Sequence, residues 1–395
     1  MNNFYKDNIM FKKNTIHYCL ITLLSTSLII TGCSNNNDNN TLQEDNQQSQ
    51  QQEEPTTIDY ATSSIKDTIV YPLDTITVTT NKNKIDKVSL YNVKTGKQVE
   101  GKIVGNTWHK TGVLGYGNNY HLTAQVGDKT LEKDITTPKP ITAEPVVSPI
   151  DGSQVGVGQT VSVKFDVPVP DRKAAENSIQ VETEPHVEGK FRWVSPTEVR
   201  WRPEHFWKPG TRVKVNVNTY GKYFKEGIFG GNNATTNFTI ARDSTITTID
   251  DNTKTAIVRK NGKIVRQFPI SMGKDSMPTN NGIYILGDHN DNMIMDSNTY
   301  GLSSDSAEGY VTPVDYATQM SYSGIYLHSA PWAVGALGNY NQSHGCINAT
   351  PEDAKWFLDN TKRGDIVIVK NTTGETLPVD DGLGDWNSNY HTDWS

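Results

Sequence analysis

Ser343-His344-Gly345-Cys346-Ile347-Asn348-Ala349-Thr350-Pro351-Glu352-Asp353 is the run from which the architecture of the chain can be read outward. It ends in a helix start: Thr350 is a capping residue, Pro351 fits the first helical position, and Glu352 and Asp353 suit the first turn. Cys346 is therefore expected in a turn just ahead of a helix through Ala354-Lys355-Trp356-Phe357-Leu358. Upstream, Gly324-Ile325-Tyr326-Leu327-His328 reads as a strand ending on a histidine, at a sheet edge where sites are often built. Downstream, Gly364 closes a connection and Ile366-Val367-Ile368-Val369 is a final strand. Earlier, 254–259 and 264–270 flank Asn261-Gly262 as a hairpin, and Pro278-Thr279-Asn280-Asn281-Gly282 leads into the strand Ile283-Tyr284-Ile285-Leu286. Residues 243–370 thus read as a mostly β domain with little helix.

The 395 residues allow two or three domains. From 58 onward, short runs alternate at period two: Ile76 and Val78; Tyr120, Leu122, Ala124 and Val126; Val161, Val163, Phe165 and Val167; Val213, Val215 and Val217. Thr137-Pro138-Lys139-Pro140 breaks this pattern into 58–140 and 143–242, each of a size that suits an immunoglobulin-like β-sandwich. Trp108 before the Gly117 turn and Trp201 before Pro209-Gly210 give the two segments the look of distant copies. Their plainest role is as spacers. Trp193, Trp201 and Trp207 are the residues of a sugar-stacking platform, although sandwich tryptophans are more often buried.

At the other end, Lys12-Lys13, the apolar stretch around Leu20-Ile21-Thr22-Leu23-Leu24 and Thr31-Gly32-Cys33 read as a signal peptide over 1–33. The Ile-Thr-Gly-Cys ending resembles a bacterial lipobox, which implies cleavage before Cys33 and lipidation of its sulfur. An uncleaved anchor is the alternative, and either way the remainder lies outside the cytoplasm. Residues 34–57, rich in Asn, Gln, Asp, Glu and Ser, read as a disordered tether. The net charge of −7 and the lack of a basic stripe argue against nucleic acid as a partner.

Of three cysteines, Cys19 leaves with the signal and Cys33 carries lipid, so Cys346 remains as a lone thiol in an oxidising compartment. A thiol of ordinary pKa, about 8.5, is mostly protonated at neutral pH, and a nearby imidazole can draw off its proton. His344, two residues away, can hardly turn back onto the thiol in an extended chain; His328 is the better base. Gly345 removes a side chain where a carbonyl would approach backbone N–H groups, as an oxyanion hole requires. The rival chemistry is zinc held by His328, His344, Cys346 and His289, but the spacing matches no common pattern and no adjacent Glu offers a base. A structural thiol is the third reading.

His328, fourteen intervening residues and then Ser343-His344-Gly345-Cys346-Ile347-Asn348 resembles the signature of the L,D-transpeptidases, the YkuD-type catalytic domain. The similarity extends to Met295-Asp296-Ser297, Thr299-Tyr300-Gly301, Gly309-Tyr310, Tyr322-Ser323-Gly324, His328-Ser329-Ala330-Pro331-Trp332 and Leu383-Gly384-Asp385-Trp386-Asn387, as in the actinobacterial subgroup with two immunoglobulin-like domains. The resemblance implies a peptidoglycan cross-linking acyltransferase without cofactor or metal. Its partners would be a donor tetrapeptide and an acceptor diaminopimelate stem, and carbapenem β-lactams would be inhibitors. It implies Cys346 as nucleophile and His328 as base, oriented by the carbonyl of Ser329. His344, Gly345 and Cys346 would supply oxyanion-hole N–H groups, assisted by Tyr310. Met295, Trp332, Ser343 and Asn348 match pocket positions.

Two further expectations concern segments. The stretch 295–320, bearing Tyr, Ser and Gly, is read as a lid that keeps water from a thioester. The tail 371–395 carries Trp386, Tyr390 and Trp394, and is expected to fold back on the second sandwich. An L,D-carboxypeptidase using the same thioester and a wall-binding lipoprotein are the alternative functions.

Overall fold

The computed structural model describes residues 54–63, 69–82 and 84–395. The signal peptide, Cys33 and all but the end of the tether lie outside the described residues. Strands dominate. Residues 58–136 form two antiparallel sheets, one pairing Ile58–Thr62, Ile76–Thr80, Thr107–Lys110 and Gly101–Val104, the other Lys87–Asn92, Asn119–Val126 and Lys129–Thr136. Residues 145–240 form two four-stranded sheets around a core of Val161, Val163, Phe165, Val213, Val215 and Trp201.

One packing device recurs in both segments. Gly101 stands across from Lys110, two residues beyond Trp108, and Gly189 stands across from Pro203, two residues beyond Trp201. A Cβ on either glycine would lie about 2.2 Å or 2.1 Å from the indole atoms, so each glycine makes room for a ring laid over its backbone. Trp201 and Trp207 are accordingly buried, and their rings lie 5.6 Å apart inside the core. Trp193 packs on Phe165 and donates to Glu176 Oε1 at 2.9 Å. These tryptophans fill a core, and the sugar platform is not formed.

Two sheets build the 244–370 region. The first runs in the order Lys263–Pro269, Thr255–Lys260, Thr245–Asp250, Ile366–Lys370, Gly282–Ile285, with the third and fourth strands parallel. Asn261 and Gly262 both take positive φ, 51° and 79°, as a tight hairpin needs. The second sheet runs His289–Asp296, Val311–Gln319, Tyr326–Ser329, Ile347–Ala349. Between the sheets lie Ile249, Val258, Phe268, Tyr284, Leu327, Ile347 and Val367, closed by Phe357 of the helix Pro351–Asn360. Thr350 caps that helix by accepting from the Asp353 N–H at 3.0 Å.

Two sequence expectations need correction. Cys346 is separated from the helix by the strand Ile347–Ala349, which is too short to produce a period and is recognisable only by its parallel pairing with Tyr326–Ser329. The 295–320 segment is not one continuous loop: its two ends belong to the antiparallel hairpin His289–Asp296 with Val311–Gln319, and 297–310 is the connection between those strands. The Asn- and Asp-rich strand His289–Asp296 and Pro313 within its partner hid the hairpin from a propensity reading.

The second sandwich, the 244–370 region and the tail share one core, since Ile285, Ile366 and Leu383 belong to the same cluster as Val155 and Val157. Gly156 and Gly158 donate backbone hydrogen bonds to Arg363 and Gly364 at 2.8 Å each. Ser395 exchanges backbone hydrogen bonds with Phe191, and the Trp386 Nε1 donates to the Gly158 carbonyl at 2.8 Å. The Arg202 guanidinium is flanked by the rings of Trp386, Tyr390 and Trp394. The first sandwich meets the second through Tyr116, whose hydroxyl donates to the Gly230 carbonyl and accepts from the Gly221 N–H.

Candidate active site

Parallel pairing assembles the site. His328 stands opposite Asn348, and side chains alternate along a strand, so Cys346, two residues before Asn348, emerges on the face that bears His328. A cavity of about 380 Å³ opens over this face, lined by Cys346, His328, His344, Ser343, Asn348, Met295, Tyr310 and Trp332, with Thr312, Val314 and Gln342. The cysteine is 8 % exposed and packs against Met295 and Val314. Trp332, by contrast, is 56 % exposed at the rim.

His328 is buried, and its Nδ1 donates to the Ser329 carbonyl at 2.9 Å. A carbonyl oxygen only accepts, so the proton sits on Nδ1 and Nε2 keeps its lone pair for the cavity. Burial lowers the His328 pKa, the Ser329 carbonyl opposing it, and the ring is neutral at rest. Burial also pushes the Cys346 thiol up to about 11, with the Tyr326 N–H opposing. The resting Sγ points to the Gly324 carbonyl at 3.5 Å. The site therefore rests with an uncharged thiol and an uncharged imidazole lining one cavity.

The turn that carries the thiol is braced from within. Ser343 Oγ donates to the Cys346 carbonyl at 2.6 Å and accepts from the Gly345 N–H at 3.1 Å. Gly345 takes φ +122°, a conformation that side chains disfavour, and a Cβ there would meet Ile325 Cγ1 at 4.0 Å. The expectation that Gly345 supplies an oxyanion N–H meets a difficulty here, because Ser343 already engages that amide. The Cys346 amide, in contrast, has no acceptor among the described residues.

His344 turns away from the thiol. Its Nε2 meets Glu308 Oε2 at 2.9 Å, and its ring centroid is 5.4 Å from that of Tyr310. Glu308 also pairs with Lys274, and these two partners, Lys274 first, hold its carboxyl below the usual range. The 297–310 connection is thus tied to the Cys346 turn. Its far end is fixed by Ser297, whose Oγ accepts from the Tyr310 N–H at 3.0 Å. His289 does not join the site: its Nε2 meets Thr361 Oγ1 at 3.0 Å and its Nδ1 the Gly287 carbonyl. Among the described residues no group of three His, Cys, Asp or Glu is gathered as metal ligands would be.

Sequence reasoning missed Thr279 and Glu308. Thr279 looked like turn material beside Pro278, and Glu308 like one more polar residue of a long connection. Their partners stand 66 and 36 residues away, so no local pattern pointed to them.

The profile of a bacterial Ig domain matches residues 67–223, and that of the L,D-transpeptidase catalytic domain, YkuD, matches residues 244–369. The chain is 51% identical over 319 residues to L,D-transpeptidase 2 of Mycobacterium tuberculosis, covering 79% of this chain and 78% of that one. It is 38% identical over 231 residues to L,D-transpeptidase 1 of the same species, covering 58% and 86%. The solved structure of the L,D-transpeptidase LdtMt1 in complex with imipenem aligns with a TM-score of 0.51 at 38% identity, over 59% of this chain and all of that one. An Ig-domain match followed by a YkuD-domain match, with 51% identity over 79% of this chain and 78% of that relative, gives the family: the chain belongs to the L,D-transpeptidase family of acyltransferases.

Proposed function

We propose that the protein cross-links peptidoglycan stem peptides 3→3. The observation that carries this reading is the one cavity lined by both Cys346 and His328, the latter held through Nδ1 by the Ser329 carbonyl. As a donor tetrapeptide enters, His328 Nε2 takes the Cys346 proton, and Sγ attacks the carbonyl between diaminopimelate and the terminal D-alanine. Charge moves to the carbonyl oxygen, met by the Cys346 N–H, with the Tyr310 hydroxyl assisting. The C–N bond then breaks, the imidazolium returns its proton to the departing D-alanine amine, and a thioester remains. The side-chain amine of a second stem's diaminopimelate attacks next. His328 takes the amine's proton as the new amide forms, and the sulfur leaves to be reprotonated.

Burial favours this sequence over an ion pair formed in advance. A neutral pair costs little to hold in an apolar cavity, and charge develops only when the substrate supplies the hole with its oxygen. Met295, Trp332, Ser343 and Asn348 bound the cavity and would shape the donor site. A carbapenem, whose ring carbonyl offers Sγ the same chemistry, should acylate Cys346. Incubating the folded protein with donor tetrapeptide alone and with an added acceptor stem separates the alternatives by mass. A cross-linked product supports transpeptidation; release of D-alanine to water regardless of acceptor supports the L,D-carboxypeptidase. Absence of any Cys346 adduct would leave a wall-binding lipoprotein.

The enzyme would work outside the cytoplasm, held at the membrane by lipid on Cys33 and facing the wall. Metabolic labelling with an alkyne fatty acid should mark the protein, and Cys33→Ala should abolish the label. Persistence of label in that variant would contradict the anchor.

A further inference from the structure

The ends of the Cys346 turn are held by backbone. Lys274 N–H donates to the Ser343 carbonyl at 2.9 Å, and Ser271 and Asn348 exchange hydrogen bonds at 3.1 and 2.8 Å. Its centre is held by two hydroxyls. One is Ser343, inside the turn. The other is Thr279, fully buried and outside the lining of the cavity, whose Oγ1 donates to the Gly345 carbonyl at 2.7 Å. That hydroxyl is itself fixed, since it accepts from the Gly273 N–H at 3.0 Å.

The Gly345 carbonyl and the Cys346 N–H belong to one planar trans peptide and point in opposite directions. Drawing the carbonyl toward Thr279 therefore turns the Cys346 N–H to the other side of the chain. A glycine at φ +122° places little steric restraint on the rotation of the peptide that follows it. The turn itself does not choose between the two orientations. We propose that Thr279 is a positioning residue for the acyl-transfer reaction: its hydroxyl selects the orientation of the Gly345-Cys346 peptide in which the Cys346 amide serves the oxyanion hole. The proposal rests on the thioester chemistry given above and assigns Thr279 no contact with substrate.

The test compares Thr279→Val, which keeps the shape and removes the hydroxyl, with Thr279→Ser, which keeps the hydroxyl. Two reactions of Cys346 are followed by mass: acylation by imipenem, which develops an oxyanion, and alkylation by iodoacetamide, which develops none at a carbonyl under attack. Loss of one well-placed donor costs acyl-transfer enzymes about 10²–10³-fold. Thr279→Val is expected to slow acylation by about 10–100-fold while alkylation stays within about 2-fold and Tm falls only modestly; Thr279→Ser should recover most of the acylation rate. Equal slowing of both reactions, or an unchanged acylation rate in Thr279→Val, overturns the proposal. If Thr279→Val fails to fold, Thr279→Ser is compared with Thr279→Cys, whose thiol is a poor donor: slower acylation at Cys346 in Thr279→Cys is expected, and equal rates in the two would contradict the proposal. The wild-type reaction with donor tetrapeptide is run in parallel. A wild type that imipenem acylates and the tetrapeptide does not would count against the substrate reading and leave the Thr279 comparison intact.

Discussion

Burial acts on the two reacting groups in opposite senses, pushing the Cys346 thiol up to about 11 and the His328 imidazole down. Each shift disfavours the charged form, so the pair is neutral near pH 7. Iodoacetamide labelling of the free enzyme should accordingly climb through pH 9 to 10 with no plateau near the ordinary thiol value; a fast, pH-independent reaction at pH 6 would indicate a standing thiolate-imidazolium pair. Replacing His328 with Gln should lower turnover by about 10²–10⁴-fold, the range for loss of a general base. His344→Gln should cost much less, since its ring meets Glu308 and Tyr310, and equal losses in the two variants would undo that assignment. His328 was legible because it ends a strand, while His344 lies too near Cys346 in the chain to turn back onto the thiol. The engagement of the Gly345 amide by Ser343 Oγ was not legible, because it depends on a backbone conformation that the residue types do not encode.

The 289–319 hairpin and the 361–365 turn carry predictions of their own. Glu308 and Ser297 tie the hairpin's connection to the Cys346 turn and to Tyr310, which suits a cover that keeps water from a thioester. Shortening 301–307 to a tight turn, with Glu308 and Tyr310 retained, should raise hydrolysis relative to cross-linking, read as the product ratio by mass; an unchanged ratio would remove its role as cover. The turn after the helix holds Asp365, buried against Gly156 of the second sandwich, where desolvation raises its carboxyl to about 7 while Lys362 opposes. A raised folded-state value means that stability is full below the unfolded value and declines as pH rises toward about 7. Stability should therefore fall by up to roughly 4 kcal/mol between pH 4 and 7 from this group. Asp365→Asn, which keeps an acceptor for the Lys362 N–H, should flatten that slope in chemical denaturation; an unaltered slope would contradict it. Hairpin turns and the helix cap were readable because Asn-Gly and Thr-Pro have local causes. The strand Ile347–Ala349 was not, because three residues paired across the sheet have no signal of their own.

Across the whole molecule, the tail fastens the catalytic region to the second sandwich. Asp385 is fully buried and takes a hydrogen bond from Thr160 at 2.7 Å and an ion pair from Arg200 at 2.9 Å, while Arg202 lies among three aromatic rings. Asp385→Ala would leave Arg200 with the Glu198 carboxylate and the Gly382 carbonyl, and stability should fall by about 3 kcal/mol, the low end for breaking a buried pair. Cutting the chain after Leu377 should lower Tm further; a truncated protein with unchanged Tm and activity would deny the tail this role. The three aromatics in a polar terminus hinted that the tail was placed against something. They did not reveal that Arg200 and Arg202, on the strand bearing Trp201, are what receives it. The central claim, that Cys346 carries the donor stem as a thioester, is tested most directly by mixing the folded protein with disaccharide-tetrapeptide and weighing both protein and products. The account predicts a Cys346 adduct equal to the donor less D-alanine and a 3→3 cross-linked dimer, both absent in Cys346→Ala. Dimer formation by Cys346→Ala, or cross-linking by the wild type with no adduct when the reaction is quenched early, would contradict it.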